Sequence, residues 1–379
     1  MIGICINYKN YNYGGLLQAF ATTKVLEKMN VDYEIIRYSK KIGVLKKISY
    51  IPRIFNKILM NDKKENFKKK IGLKRNPEFK ANNDIRNAAF SNFINNNFSK
   101  FSLLYPSYND LKRNSGKYSI VLTGSDQLWS PAGLPTNFYN LMFCDRSVKR
   151  VSYASSFGVG YIPWYQKRRT KKYLNQMDYI SMRENKGATI VEELTGKKVP
   201  VVCDPVFLLN KFEWDELIPN EKKFDFDYIF AYFLGDNEEY RNEITKFAKE
   251  KNLKIVTLRH LDQFIPGQEQ FGDYYPYNVS PIDFLNLIRN AKFVFTDSFH
   301  GSVFSIIYEK KFLSFNRYSN KSKVSKNSRI DTLMTNLGID RRYKTIESVT
   351  DDIDYNLVNE KLYKIIVDSK KYLEMILEK

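Results

Sequence analysis

Apolar residues along this chain fall into short runs, separated by longer segments that are apolar on one side only. Residues 2–6, 33–38, 118–122, 150–154, 179–181 and 199–202 have the length and apolar content of buried strands. Between them, residues 16–29 and 84–98 read as helices; in the first, Leu17, Phe20, Ala21, Val25 and Leu26 share one face. The chain therefore opens as a βαβ unit, with a turn at 10–15 that carries Gly14 and Gly15. A second alternating series begins at 228–234. It continues with a helix at 238–251, a strand at 254–258, a helix at 281–290 capped by Ser280, and strands at 293–295 and 312–315. Residues 302–308 read as the helix between those two strands, and 356–378 as a last helix long enough to run back across the first series. Pro205 and Pro219 bracket a mixed segment at 209–220, where the series change. The pattern predicts an α/β protein of two doubly wound, Rossmann-like domains facing a cleft. They span 1–210 and 211–355, with a terminal helix at 356–379.

The strand ends carry the candidate chemistry. Gly14 and Gly15 permit close backbone approach at a helix N-terminus, although two glycines form no nucleotide-binding motif by themselves. The next strands end in Gly124-Ser125-Asp126-Gln127, in Ser155-Ser156-Phe157-Gly158, in Arg183-Glu184-Asn185 and in Cys203-Asp204-Pro205. Four successive strands with small, polar or charged ends suggest one shared site above a parallel sheet. The second series offers Thr296-Asp297-Ser298-Phe299-His300-Gly301, directly after the apolar run 293–295. His300 is one of only two histidines; it either serves a site at this strand–turn–helix junction or caps and packs under the helix.

Composition narrows the class. With 379 residues, 43% of them apolar, the chain has material for two cored domains. No apolar run approaches the roughly 18 residues needed to span a bilayer, and the first seven residues lack the pattern of a signal peptide. Cys5, Cys144 and Cys203 are scattered, which points to a reducing cytoplasm rather than a disulfide framework or zinc site. His260 and His300 have no metal-ligand spacing, so no metal is expected. The net charge of +19 is concentrated in residues 40–75, where lysines and arginines interleave with Ile42, Leu45, Ile48, Phe55, Ile58 and Leu59, and Pro52 interrupts the pattern. Such a stretch is either a solvated basic face or a surface for anionic lipid. It lacks exposed-looking aromatics for base stacking and shows no helix-turn-helix, zinc-finger or RNA-recognition pattern, so no nucleic acid is expected.

Taken together, these residues resemble the polysaccharide pyruvyl transferase family over nearly the whole chain. The resemblance rests on Asn12-Tyr13-Gly14-Gly15-Leu16-Leu17-Gln18-Ala19, Gly124-Ser125-Asp126-Gln127-Leu128-Trp129, Tyr153-Ala154-Ser155-Ser156-Phe157-Gly158 and Ser181-Met182-Arg183-Glu184. Cys203-Asp204-Pro205, the 296–301 hexapeptide and Asn327-Ser328-Arg329-Ile330 complete it in the same order. The resemblance implies a GT-B-like fold and no cofactor. The implied reaction moves the enolpyruvyl unit of phosphoenolpyruvate onto two hydroxyls of a sugar, free or lipid-linked, forming a pyruvate ketal in a surface polysaccharide.

Such a reaction needs cations for the donor's phosphate and carboxylate and an acid/base group for carbon 3. Those demands point to His300 as the acid/base group, to Arg183 (at a position where relatives use arginine to hold phosphoenolpyruvate) and Arg329 as donor-binding cations, and to Asp126 on the acceptor side. The alternatives are a salt bridge of Arg183 with Glu184, a helix cap at Asp126 and a surface role for Arg329. Ser125, Ser298, Asp297, Gly14 and Gly15 are the remaining candidate substrate contacts. Some relatives carry an arginine two residues before the histidine, where this chain has Ser298, so either Arg329, Lys326 or Lys323 supplies that charge or donor recognition differs in this branch. Two alternatives stay open: a GT-B glycosyltransferase using a nucleotide sugar, and a non-catalytic membrane-surface protein of polysaccharide assembly. Peripheral attachment at the inner face of the membrane belongs to both the main reading and the second alternative.

Overall fold

The computed structural model describes residues 1–39, 57–133, 136–259, 261, 271–317 and 328–378. Residues 40–56 of the basic stretch with Pro52, together with His260, Lys323 and Lys326, lie outside the described residues. The first series runs β1 (Ile2–Cys5), α1 (Tyr13–Lys28), β2 (Tyr33–Tyr38), α2 (Lys57–Arg75), α3 (Pro77–Asn97) and β3 (Phe101–Tyr105). It continues with α4 (Tyr108–Arg113), β4 (Ile120–Thr123), β5 (Lys149–Ser155), α5 (Trp164–Asn175), β6 (Tyr179–Met182), α6 (Asn185–Thr195) and α7 (Lys211–Asp215). The second holds β7 (Tyr228–Tyr232), α8 (Glu238–Glu250), β8 (Lys254–Thr257), α9 (Pro281–Asn290) and β9 (Phe293–Thr296). It closes with α10 (Phe299–Ile307), β10 (Lys311–Ser314), α11 (Ser328–Leu337) and α12 (Tyr355–Leu377).

Strands β1–β6 form one sheet in the order β3-β2-β1-β4-β5-β6, and the other four form a second in the order β10-β9-β7-β8. Every named pairing is parallel. The central strands are buried along their whole length because crossover helices cover both faces. Strand order reverses between β1 and β4, and again between β7 and β9. At such points the loops leave in opposite directions and open a crevice beyond the strand C-termini. The turn after β4, the N-terminus of α1 and the His300 turn after β9 all sit at these two reversals.

Helix α1 joins the two halves. One apolar cluster runs from Ile4 and Leu122 through Leu16, Leu17 and Phe20 to Phe284, Val294 and Val303. The Tyr13 ring stacks on Phe284 at 4.9 Å, and its hydroxyl donates to the Val279 carbonyl at 3.2 Å. Trp214, fully buried, packs against both Phe20 and Phe304, and its Nε1 donates to the Val206 carbonyl. Helix α12 is tied along its length to both sheets. The Tyr355 hydroxyl donates to Lys310 O, Ser369 Oγ accepts from Cys203 N, and Lys149 Nζ donates to Glu378 O. No helix among the described residues is long and apolar enough to cross a membrane.

Three sequence expectations need correction. Residues 199–202 are not a strand: a single bridge links Val201 to Met182, because Pro200 and Pro205 leave too little backbone to continue a ladder. The turn expected at 10–15 ends earlier, at Asn12. Its side chain accepts from Gly15 N at 2.9 Å, so Gly14 and Gly15 form the first turn of α1. In the same way Ser298 caps α10, which already contains Phe299 and His300. Strand β3 and helices α5, α6 and α11 had no counterpart in the pattern reading. In α5 the reason is plain: its buried face is Gln166, Thr170, Tyr173 and Leu174, which is too polar to register as an apolar stripe.

Candidate active site

The site is assembled around one carboxylate, Asp204, whose side chain is wholly buried. Its Oδ2 receives Arg183 Nη1 at 2.6 Å and Ser125 Oγ at 3.1 Å, and lies 3.5 Å from His300 Nε2. Its Oδ1 accepts from Val206 N at 3.2 Å, which fixes the carboxylate plane. Burial alone would raise the Asp204 pKa, but the charges and hydrogen bonds of His300 and Arg183 outweigh it and hold the carboxyl well below the usual range. Ser125 and Arg183 come from the ends of β4 and β6 and His300 from the second sheet, so Asp204 fastens the two halves together.

Arg183 is buried, and only one of its guanidinium nitrogens is hydrogen-bonded among the described residues. Nη1 serves Asp204 and Ser125, Nη2 lies 3.8 Å from Asp126 Oδ1, and neither Nε nor Nη2 has a hydrogen-bond partner among the described residues. Asp204 and Asp126 keep its charge firmly in place against the opposing effect of burial. Arg329 sits beside it. Both guanidiniums lie over the ring of Phe299, Arg183 at 4.7 Å and Arg329 at 5.6 Å from its centroid. With the Gln127 amide oriented toward it, Arg329 donates Nη1 and Nη2 to the carbonyl oxygen at 3.0 and 2.7 Å, and its Nε is unpartnered among the described residues. Burial and the like charge of Arg183 push the Arg329 pKa down to about 10, so it remains a cation at neutral pH.

Glu184 completes the charged layer. Its Oε1 accepts from Ser156 Oγ at 2.8 Å, while burial raises its pKa against the pull of Arg183 and Arg329. Asp126 adopts φ 76°, a left-handed conformation unusual for a residue with a side chain. That turn brings its carboxylate to the first turn of α1, where a Cβ on Gly15 would lie 3.5 Å from Oδ2. The Asp126 side chain keeps 21% exposure and forms the solvent side of the cluster. On the inner side, Arg183, Asp204, Phe299 and Arg329 border a small cavity of about 40 Å³ that continues toward Leu337 and Ile365.

The glycine pair acts differently from the sequence expectation. What approaches Gly14 is His300 itself: a Cβ there would fall 2.0 Å from the imidazole Nδ1 and 2.3 Å from Cγ. Asp297 and Ser298 are occupied by the backbone. The Asp297 carboxylate accepts from Leu234 N and Gly235 N at 2.8 and 2.7 Å, and Ser298 Oγ accepts from Gly301 N at 3.3 Å. The structure thus brings Arg183, Arg329, Asp126, Ser125, Gly14, Gly15 and His300 together and turns Asp297 and Ser298 to holding the β7 and β9 loops. Sequence reasoning missed Asp204, Phe299, Glu184, Gln127 and Arg317 as members of the cluster. Arg317, from the segment after β10, lies 3.6 Å from Asp297 and places a further cation at this edge. The motif signals were present for Asp204 and Phe299, but the partnership of Asp204 with His300 is visible only in three dimensions.

Two parallel sheets whose reversal points share one polar cluster are the arrangement of GT-B-type enzymes, and solved structures agree on the fold. A UDP-N-acetylglucosamine 2-epimerase aligns with TM-score 0.51 at 12% identity, over 99% of this chain and 94% of that one. The MnaA–UDP complex from S. aureus aligns with TM-score 0.50 at 13% identity, over 100% and 98%. No curated protein sequence matches the chain. The chain belongs to the polysaccharide pyruvyl transferase family, whose model matches residues 12–320.

Proposed function

We propose that the chain transfers the enolpyruvyl unit of phosphoenolpyruvate to two hydroxyls of a sugar in surface-polysaccharide synthesis. The observation that carries this reading is the pair of buried guanidiniums, Arg183 and Arg329, which share the Phe299 ring and keep N–H donors unused. Buried cations with free donors are costly unless an anion completes them, and the donor brings a phosphate and a carboxylate. Arg183 and Arg329 hold those groups, with Arg317 beside them.

His300 delivers a proton to carbon 3 of the enol, which makes carbon 2 electrophilic. The first sugar hydroxyl adds to carbon 2 and releases its proton toward Asp126, the carboxylate on the solvent side. The bond from carbon 2 to the phosphate oxygen then breaks, and phosphate departs carrying the proton that Asp126 had taken up, which restores that carboxylate. The second hydroxyl adds to carbon 2, closes the ketal, and gives up the proton that restores His300. Asp204 does not touch substrate in this scheme; it positions His300 and Arg183. The acceptor is a sugar, free or lipid-linked. Residues 40–75 are either a solvated basic face or a surface for anionic lipid, and within that stretch α2 exposes Lys63, Lys64, Lys68, Lys70 and Lys74.

Calorimetric titration with phosphoenolpyruvate and, in parallel, uridine diphosphate tests the donor. Heat from phosphoenolpyruvate alone, lost in Arg183→Ala, is the expected result. Heat from the nucleotide alone would overturn the reading in favour of a nucleotide-sugar enzyme.

A further inference from the structure

Helix α5, Trp164–Asn175, is outside the site and carries a dense cationic face. Its sequence contains Lys167, Arg168, Arg169, Lys171 and Lys172 and no acidic residue. All five are exposed, and none forms an ion pair among the described residues. Trp164, at the first position of the helix, is 84% exposed, whereas Trp129 and Trp214 are at 1% and 0%.

Helical geometry places these residues on one stripe. Positions 164, 167, 168, 171 and 172 follow the i, i+3, i+4, i+7, i+8 pattern and fall within about 140° of the circumference. The opposite side, Gln166, Thr170, Tyr173 and Leu174, is buried against the apolar cluster that covers one face of the first sheet. A stripe of uncompensated cations that begins in an exposed tryptophan is complementary to a surface with negative headgroups above an apolar layer. Nucleic acid shares the charge but is normally gripped by several stacking aromatics along a groove. This stripe is the outer face of a single helix, with one aromatic at its end.

We infer that the α5 face docks the protein on an anionic membrane surface, with the cations over the headgroups and Trp164 entering the interfacial layer. The orientation has a consequence for access. Helix α5 returns from the C-terminal end of β5, the edge of the sheet where Ser156 and the charged cluster lie, so Trp164 marks the end of the helix nearest the site. A membrane there would present the site to sugars carried on lipid; that clause rests on the proposed function, whereas the docking itself does not.

The intrinsic fluorescence of the full chain reads this directly, since Trp164 is the only exposed tryptophan of the three. Vesicles of phosphatidylcholine with and without phosphatidylglycerol serve as probes. The expected result is sedimentation with the anionic vesicles only, weakened by added salt, with a blue shift of the emission that Trp164→Phe removes. At roughly fivefold per cation, the triple variant R168Q/K171Q/K172Q lowers vesicle affinity about a hundredfold. These side chains are exposed and glutamine preserves helix propensity, so the melting temperature stays unchanged. Helix α2 packs on α3, whose Phe90 and Phe93 belong to the apolar cluster on the other face of the first sheet. The matching variant K63Q/K64Q/K68Q therefore separates the two basic surfaces. The inference is overturned by equal binding to neutral vesicles, by loss of binding in the α2 variant but not the α5 variant, or by a short nucleic acid binding through α5 while vesicles do not.

Discussion

Replacing Asp204 by asparagine keeps the shape of the side chain and removes the charge on which Arg183 and His300 converge. Hydrogen bonds from Ser125 and Val206 can survive, so the loss is chiefly that of a buried ion pair, with Arg183 left as an uncompensated buried cation. Breaking a buried pair from one side costs about 3–5 kcal/mol. Unfolding entropy of about 2.1 cal/mol/K per residue amounts to about 0.8 kcal/mol/K over 379 residues, so the melting temperature falls by about 4–6 °C at pH 7. The pH dependence has a definite sign. The folded Asp204 pKa is depressed, so its stabilisation is complete above the unfolded value of about 3.9 and is lost as pH falls through the folded one. The part of the gap between wild type and Asp204→Asn that comes from Asp204's own titration is therefore full at pH 7 and closes below about pH 4. Calorimetric scans across that range measure it. A variant that melts within about 1 °C of wild type at pH 7, or a gap that persists unchanged at pH 3, would refute the role given to Asp204.

Three further outcomes follow from the same geometry. Gly14→Ala drives a methyl into the His300 ring, so turnover falls about 10²–10⁴-fold while phosphoenolpyruvate affinity changes little, which single-turnover phosphate release and calorimetry separate. Arg329→Gln removes charged donors worth about 1.5–3 kcal/mol, so donor affinity drops about 10–150-fold; unchanged affinity would take Arg329 out of the donor site. Ser298→Ala removes a helix cap and costs about 1 kcal/mol in urea unfolding, with donor affinity intact; a large loss of affinity would mean that the hydroxyl contacts phosphate instead.

Strands β1, β4, β7 and β9 and helices α1, α8 and α9 were legible because each buries an uninterrupted apolar run or a clean apolar face. Helix α9 in addition carries its capping box at Ser280 and Asp283. What stayed hidden had local patterns that say little. The edge strand β3 leaves Leu103 and Leu104 exposed, so burial does not dictate its alternation. In α5 the dominant signal is charge. The site was legible at the level of turns, since strand ends with Arg183, Asp126 and His300 already pointed to a common edge. Its wiring was not, because which acid faces which base depends on the placement of one sheet against the other. The glycine pair shows the difference well: the sequence indicates that something must come close to Gly14, and only the fold shows that it is the imidazole.

His300 sits on α10 in the second half, while the groups that orient it, Asp204 and the Gly14 backbone of α1, belong to the first. Proton delivery under the proposed function is therefore not a property of either half. Any hinge movement that parts the sheets draws the imidazole away from its carboxylate and its backing at once, and it leaves Arg183 with Asp204 but without the Phe299 ring. Under the proposed function this makes the molecule an interlock: the reactive enol of the donor would meet a competent acid only while the halves are together, and an open molecule would have no means of protonating it in the presence of bulk water.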